Sequence, residues 1–509
     1  MALNSYWRTS LAVFALTAIV LFWVCANLLT LNPDEGIYLD GALRVMNGQA
    51  PYRDFFVHTG PGTYWLYASV FRVFGPSLVV ARLPLICEVA AITAAVFLLT
   101  ANLATYTFGL ATTVVFFAAQ TRDLGMLALN HRWDSSALGF LAVVPAYAAL
   151  RSGSRLMMFA SGMLAAAAAW CTPTLGIVAL GIALWIAVSP GLRKLLLPFL
   201  SGMAAVSAVC VSILAAEQAI KPMLEHFLWT SSNYSAANRV PYGWAGTGYG
   251  EIGSGLGIVG WVLYSALLGV VAAPAVLPIL TWLAWAIYFA IRRRVEQPIL
   301  FLILCSGALV ASTYPRWDIG HLLYVAPISY VLAAAFLHRS LPAKTLPPLF
   351  CLTMFVAIFV WTPGVAGLSG VRRVTTSAGV VRVKPEDEKL LHMILGRVRP
   401  GDSLFVFPYF PTMYFLTHGV NPTRFSYLQP GLMTPEDEAI ALQELQGHPP
   451  QWVFYDYVRP EEYLKHWPSS DPSRLRLNSI EEFLSARYHP LEKLSHRLGD
   501  FSLLERGSP

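Results

Sequence analysis

The sequence predicts a mostly α fold: a polytopic membrane helical bundle of about 11 spans, followed by a small α/β C-terminal domain. Three observations predict it. Of the 509 residues, 56% are hydrophobic and only 13% charged, about half the charge usual for a soluble domain. The charge is unevenly placed: residues 1–363 hold 19 Lys and Arg against 12 Asp and Glu, and residues 364–509 hold 16 against 17. Apolar stretches of bilayer-spanning length recur through residue 363 and then stop, which divides the chain into a transmembrane part, 1–363, and a water-exposed domain, 364–509, large enough to bury a core of its own.

The stretches lie at 11–31, 78–99, 103–120, 136–150, 156–171, 173–189, 196–216, 270–291, 298–313, 320–338 and 345–363. The first, preceded by Arg8, is about twenty residues long and is read as a retained span, not a cleaved signal peptide. Residues 256–273 are also apolar and Gly-rich, either a twelfth span or an interfacial helix leading into 270–291. Charge favours eleven. With the N-terminus cytoplasmic, Arg8, Arg151, Arg155, Arg193, Lys194, Arg292, Arg293, Arg294, Arg339 and Lys344 all fall inside, accompanied only by Glu296. Asp34, Glu35, Asp40, Asp54, Asp123, Asp134, Glu217, Glu225, Glu251 and Asp318 then fall outside, with the C-terminal domain. Basic residues in short clusters between apolar runs are topology signals, and exclude nucleic acid as the partner. The six cysteines lie in apolar segments without paired-ligand spacing and read as small buried hydrophobes.

Two external segments are long, 32–77 and 217–255. The first contains a predicted helix from Asp34 to Met46, with Leu39, Leu43 and Met46 on one face, then an aromatic run from Thr63 to Phe74 suited to the headgroup zone. Beyond Pro363 the pattern predicts helices at 386–398, 411–416 and 479–488, the last started by a Ser479/Glu482 capping box. Strands are predicted at 403–407 and 452–457, with two more strand-like pieces around Gly499-Asp500.

The candidate site gathers on the external side. Asn32-Pro33-Asp34-Glu35-Gly36 follows the first span; a carboxylate there either serves the helix start or deprotonates an incoming hydroxyl, its neighbour orienting the group or binding a cation. Adjacent helical carboxylates diverge by about 100°, so the two do not share a proton. Asn130-His131-Arg132-Trp133-Asp134 offers an Arg for bidentate phosphate binding, or else a local Arg–Asp pair. Tyr314-Pro315-Arg316-Trp317-Asp318-Ile319-Gly320-His321 repeats the Arg-Trp-Asp pattern on the same predicted side. His58 suits phosphate binding or leaving-group polarisation, but His58, His131 and His321 lack a compact metal signature. Arg82 is expected to snorkel to the interface, whereas the deeper Glu88 needs a partner or a wet cavity. Lys221, Tyr234, Arg239 and Tyr242 make the 217–255 loop a candidate substrate lid. The carboxylates fit a divalent-cation-assisted site and an unassisted one alike, so the metal is left unknown and no cofactor is certain.

Pro33-Asp34-Glu35 after the first span, Gly60-Pro61, Arg82-Leu83-Pro84 near the second span and Asp134 after the third resemble the membrane glycosyltransferases of the C-type fold. The likeness is to the protein O-mannosyltransferase and lipid A aminoarabinose transferase-like family, and covers about residues 10–340 in architecture. Gly60-Pro61-Gly62 departs from the paired prolines common there. The resemblance implies a polyprenyl-phosphate sugar donor and a glycan, lipid or protein hydroxyl acceptor, with inverting transfer at the outer face of the cytoplasmic (inner) membrane. It implies Asp34 as general base, Glu35 and Asp134 as the other acidic positions, and Arg132, Arg316 or His58 holding the phosphate charge. A transporter or flippase of lipid-linked precursors, or a noncatalytic envelope-assembly subunit, is the alternative. A transporter is expected to carry midplane polar groups and repeated halves, and no repeat is visible.

Overall fold

The computed structural model describes residues 6–245, 257–342 and 345–507. Among them, five helices are long and apolar enough to cross a membrane: Trp7–Cys25, Leu78–Leu103, His131–Ser152, Pro190–Ala216 and Leu267–Arg292. Ile319–Val325 and Pro327–Ser340 make a sixth as a broken span bent by 68°. The break falls where Pro327 removes a backbone donor and starts the second piece at its first position. Shorter apolar helices, Arg155–Cys171, Pro173–Val188, Gln297–Ala311 and Phe350–Ala366, complete the bundle with Tyr106–Thr121. The chain is thus a multi-pass membrane protein. Large apolar side chains such as Leu16, Ile19, Leu197, Ile287 and Phe355 stand on the bundle surface, where lipid rather than water is their natural solvent.

The apolar segment at 256–273 is not separate from the one after it. A single helix runs from Ile258 to Arg292 through Pro274 and Pro278. Residues 246–256 and 343–344, with Glu251 and Lys344, lie outside the described residues.

Past the bundle, β3 (Arg372–Thr376) and β4 (Gly379–Val383), which follow the short β1 (Val240–Trp244) and β2 (Arg316–Asp318), form an antiparallel hairpin. A four-stranded sheet follows in the order β5-β6-β8-β7, from β5 (Leu404–Phe407), β6 (Trp452–Asp456), β7 (Tyr488–His496) and β8 (Gly499–Arg506). β5 and β6 are parallel, and the other pairings are antiparallel. Helices Pro385–Leu395, Pro435–Gly447 and Asn478–Arg487 accompany the sheet. The capping box forms at Thr434 and Asp437. It does not form at Ser479, whose N–H donates to Glu438 Oε1 at 2.8 Å, and that helix starts at Asn478 without a side-chain cap.

The sequence predicts a separate core for the C-terminal region, and the structure differs. One apolar core runs from the first loop (Leu29, Tyr38, Phe55, Tyr64, Phe71) into the sheet and its helices (Phe405, Phe407, Leu416, Phe454, Leu503). Main-chain bonds stitch the same boundary: Leu29 N–H to Arg382 O and Phe56 N–H to Arg424 O, both 2.9 Å. Arg382 also reaches back with Nε to Asn27 Oδ1 at 2.6 Å.

Candidate active site

The first-loop helix, Pro33–Met46, starts where Asn32 Oδ1 accepts the Asp34 N–H at 3.0 Å and Pro33 occupies the first helical position. One residue of helix is a turn of about 100°, and it separates the two acids completely: Asp34 is exposed, Glu35 fully buried. Asp34 Oδ1 accepts a hydrogen bond of 2.6 Å from the Tyr409 hydroxyl, which arrives from the C-terminal region just after β5. That arrival is set by a backbone contact. Helix Thr412–Thr417 lies against the first turn of Pro33–Met46, where a Cβ on Gly36 would sit 2.0 Å from Thr412 N, and Thr412 Oγ1 donates to Asn32 O at 3.2 Å. Gly36→Ala is therefore expected to destabilise the protein by about 1–3 kcal/mol through overpacking, read as a lower thermal midpoint of the purified protein.

Glu35 faces inward. Its Oε2 takes a 2.8 Å bond from Arg82 Nη2, and its Oε1 accepts the Leu129 N–H at 3.0 Å. Both side chains of the pair are 0% exposed. Arg82 does not snorkel to the interface, as the sequence led us to expect; the buried carboxylate holds it inside. Burial pushes the Glu35 carboxyl above its ordinary value, opposed by the Arg82 guanidinium and the Leu129 N–H.

The two Arg-Trp-Asp segments take different secondary structures, and this decides their chemistry. Arg132 and Asp134 sit in the first turn of His131–Ser152, capped by Asn130. Residues two apart on a helix point about 200° from each other, so the local Arg–Asp pair does not form. Asp134 turns into the bundle, fully buried, accepts from Tyr67 OH at 3.1 Å and faces Glu88, carboxyl to carboxyl. Glu88 thus has a carboxyl neighbour at its depth, but its Oε2, like Asp134 Oδ2, has no hydrogen-bond partner among the described residues. Arg316 and Asp318 instead lie on β2, where residues two apart share a face, and Arg316 Nε bonds Asp318 Oδ2 at 2.9 Å. The same carboxylate accepts His321 Nδ1 and the His321 N–H, both at 2.9 Å. Burial alone would raise the Asp318 carboxyl, but His321 and Arg316 hold it well below the usual carboxylate range.

Arg132 bonds no acid, although the Asp318 charge lies within electrostatic reach of it. It is 5% exposed, its Nη1 donates to Ser312 O at 3.1 Å, and its Nε has no partner. Among the described residues it forms no ion pair. Tyr38, Tyr234 and Tyr324 lie within electrostatic reach of both Arg132 and Asp34, which links the buried cation and the exposed carboxylate through one tyrosine cluster. His58 closes a side of it: its ring stacks on Tyr234 at 5.1 Å, stands 6.2 Å from that of His131, and shares a 2.8 Å bond between Nδ1 and Tyr427 OH. Burial and Arg132 push the His58 pKa down to about 4, so at neutral pH it is an uncharged hydrogen-bonding group. Arg316 Nη2 reaches His466 O at 3.1 Å, and Arg239, itself exposed, accepts Ser469 Oγ on its carbonyl at 2.6 Å. The described part of the 217–255 segment is largely helical, Ile220–Trp229 running on through Thr230–Tyr234, and only its β1 pairs with β2. The remainder of the expected lid lies outside the described residues.

The structure brings Asp34, His58, Arg132, Tyr234, Arg316, Asp318 and His321 together and sets Glu35 and Asp134 behind them. The reading of the sequence did not include Tyr409 or Tyr427. No local pattern marks either one, since each meets its partner across more than 300 residues of chain, 375 for Tyr409 and Asp34. Among the described residues no three of His, Cys, Asp and Glu are grouped to hold a metal ion. The three histidines do not fit one: Arg132 lies among them, and His321 already serves Asp318.

No family model matches the sequence, and no curated protein matches it. Solved structures do match in shape. ArnT from Cupriavidus metallidurans bound to undecaprenyl phosphate matches with a TM-score of 0.57 at 12% identity, over 99% of this chain and 100% of that one. The same protein in the apo state gives 0.58 at 13%, with the same coverage. The Archaeoglobus fulgidus oligosaccharyltransferase tethered with an acceptor peptide gives 0.52 at 14%, over 99% of this chain and 74% of that one. The chain shares the fold of these C-type membrane glycosyltransferases from end to end.

Proposed function

We propose that this protein is a glycosyltransferase that moves a sugar from a polyprenyl-phosphate donor to a hydroxyl acceptor at the outer face of the cytoplasmic membrane, with inversion. The observation that carries this reading is Arg132: a buried guanidinium with a free Nε and no ion pair among the described residues, linked to the exposed carboxylate of Asp34 by tyrosines within electrostatic reach of both. A buried cation needs a compensating anion, and a phosphate at interface height supplies it. The shared fold with a protein crystallised with undecaprenyl phosphate supports the same ligand.

In this mechanism Arg132 holds the donor phosphate, and Arg316, whose charge Asp318 largely balances, takes a smaller part. Asp34 takes the acceptor's proton as the acceptor oxygen attacks the anomeric carbon. The bond from that carbon to the phosphate oxygen breaks, and the polyprenyl phosphate departs with the electron pair. Attack on the face opposite the phosphate inverts the anomeric centre. The leaving phosphate is already an anion beside a guanidinium, so no strong general acid is required. Neutral His58 contributes a hydrogen bond and no charge, and Glu35 and Asp134 act from behind, as supports of the elements that carry Asp34 and Arg132.

Binding of undecaprenyl phosphate to the purified protein tests the anion site. Arg132→Ala is expected to weaken it about 10- to 100-fold, the loss of a charged hydrogen bond, and Arg316→Ala less, because Arg316 spends a donor on Asp318. Unchanged affinity in Arg132→Ala would remove the basis of the proposal. Turnover of undecaprenyl-phosphate-linked sugars in lipid nanodiscs separates transfer from transport: a transporter moves the lipid and leaves the sugar attached.

A further inference from the structure

We propose that Tyr409, supplied by the C-terminal region, is a positioning residue for Asp34, so that the domain beyond the bundle is a working part of the transfer site. The inference rests on the glycosyltransferase reading above. It begins from the 2.6 Å bond in which the Tyr409 hydroxyl donates to Asp34 Oδ1.

A carboxylate near an open surface turns about its Cβ–Cγ bond unless one oxygen is held. Asp34 is exposed and has this one side-chain partner among the described residues. Engaging Oδ1 fixes the plane of the group and leaves Oδ2 to receive a proton, which is the geometry a general base needs. Tyr409 is itself held: it is only 9% exposed, with its ring 5.2 Å from Tyr427 and 5.6 Å from Trp467. Tyr427 in turn bonds His58. The close approach of Thr412 to Gly36 fixes the register between the two elements that carry the pair. Burial, and the Asp34 charge after it, push the Tyr409 phenol well above its ordinary value, which keeps its proton on the hydroxyl and keeps it a donor.

Tyr38 on its own helix, Tyr234, Tyr324, Tyr409 and Tyr427 all lie within electrostatic reach of Asp34. Among the described residues Asp34 forms no ion pair, so the Tyr409 phenol sets its orientation. An ion pair would hold the carboxylate more tightly and quench it as a base. A single neutral donor orients it and leaves it reactive.

The test compares wild-type, Tyr409→Phe and Asp34→Asn proteins purified in full length. The infrared difference between wild type and Asp34→Asn isolates the Asp34 carboxylate bands. In Tyr409→Phe these bands are expected to shift, while the thermal midpoint and the affinity for undecaprenyl phosphate stay as in wild type. Turnover of an undecaprenyl-phosphate-linked sugar is expected to fall roughly 10- to 100-fold in kcat with KM unchanged, the cost of a misplaced reacting group. Unmoved bands, or moved bands with unchanged kcat, overturn the positioning role. A parallel fall of kcat, affinity and thermal midpoint makes Tyr409 a structural residue and overturns it too. Full activity in Asp34→Asn is a different failure: it removes the base while leaving the Tyr409–Asp34 hydrogen bond intact.

Discussion

Asp34→Asn is expected to cut sugar transfer roughly 10²- to 10⁴-fold, the range over which a positioned general base acts, with no loss of folded protein. The substitution is close to isosteric. The Asn side-chain oxygen still accepts from Tyr409, and the helix start is unaffected, because it is Asn32 that caps the Asp34 N–H. What the amide lacks is the ability to take a proton at neutral pH. The side chain is exposed, so the exchange leaves no buried group unpaired. The measurement is single-turnover transfer from an undecaprenyl-phosphate-linked donor, with undecaprenyl phosphate affinity as the control. Retained turnover sinks the base assignment. Lost turnover with lost affinity points to donor binding instead.

The largest expected effect on stability belongs to the Glu35–Arg82 pair. Arg82→Ala leaves a fully buried carboxylate whose remaining partner is the Leu129 N–H, and breaking such a pair from one side costs about 3–5 kcal/mol. The pair also ties three stretches of chain: the first-loop helix, the helix Leu78–Leu103, and the residues before His131, with Arg82 Nη2 reaching Leu28 O at 3.4 Å as well. Arg82→Ala is expected to lower membrane yield and thermal midpoint sharply. Glu35→Gln with Arg82→Met removes both charges and is expected to recover much of the loss. A single Arg82→Ala protein as stable as wild type would mean that the pair contributes little. In neither variant does the Asp34 carboxylate change its own partners, so catalysis per folded molecule is the quantity that separates support from chemistry.

Where a property depends on residues close in sequence, it was readable before the structure. Apolar length marked the helices of the bundle, and the 100° step between neighbours told that Asp34 and Glu35 face different surroundings. Partners were not readable. Arg82 lies 47 positions from Glu35, and Tyr409 lies 375 from Asp34, distances over which no periodicity speaks. The two Arg-Trp-Asp segments are the most instructive case. As strings they are identical, but one folds as a helix and separates its charges, and the other folds as a strand and joins them. A three-residue strand held by β1 across an intervening stretch of more than 70 residues has no local signature. Asn130 ahead of the apolar stretch is itself a helix-start signal, and a helix begun there separates Arg132 from Asp134.

The core shared between the first loop and the C-terminal sheet also bears on how the chain is made. The first loop is synthesised well before its cover: Phe56 packs on Phe425 and Tyr427, and Phe71 on Phe415, all of them far along the chain. Until that stretch arrives, the first loop exposes aromatic side chains to water or to the bilayer surface, with closure entropy still to be met over most of the intervening chain. The first loop is therefore completed late: Asp34 meets its Tyr409 partner only once a segment 375 residues further along the chain has folded back onto it. A chain stopped short of Thr412 is expected to insert and, lacking that cover, to be a target for quality control.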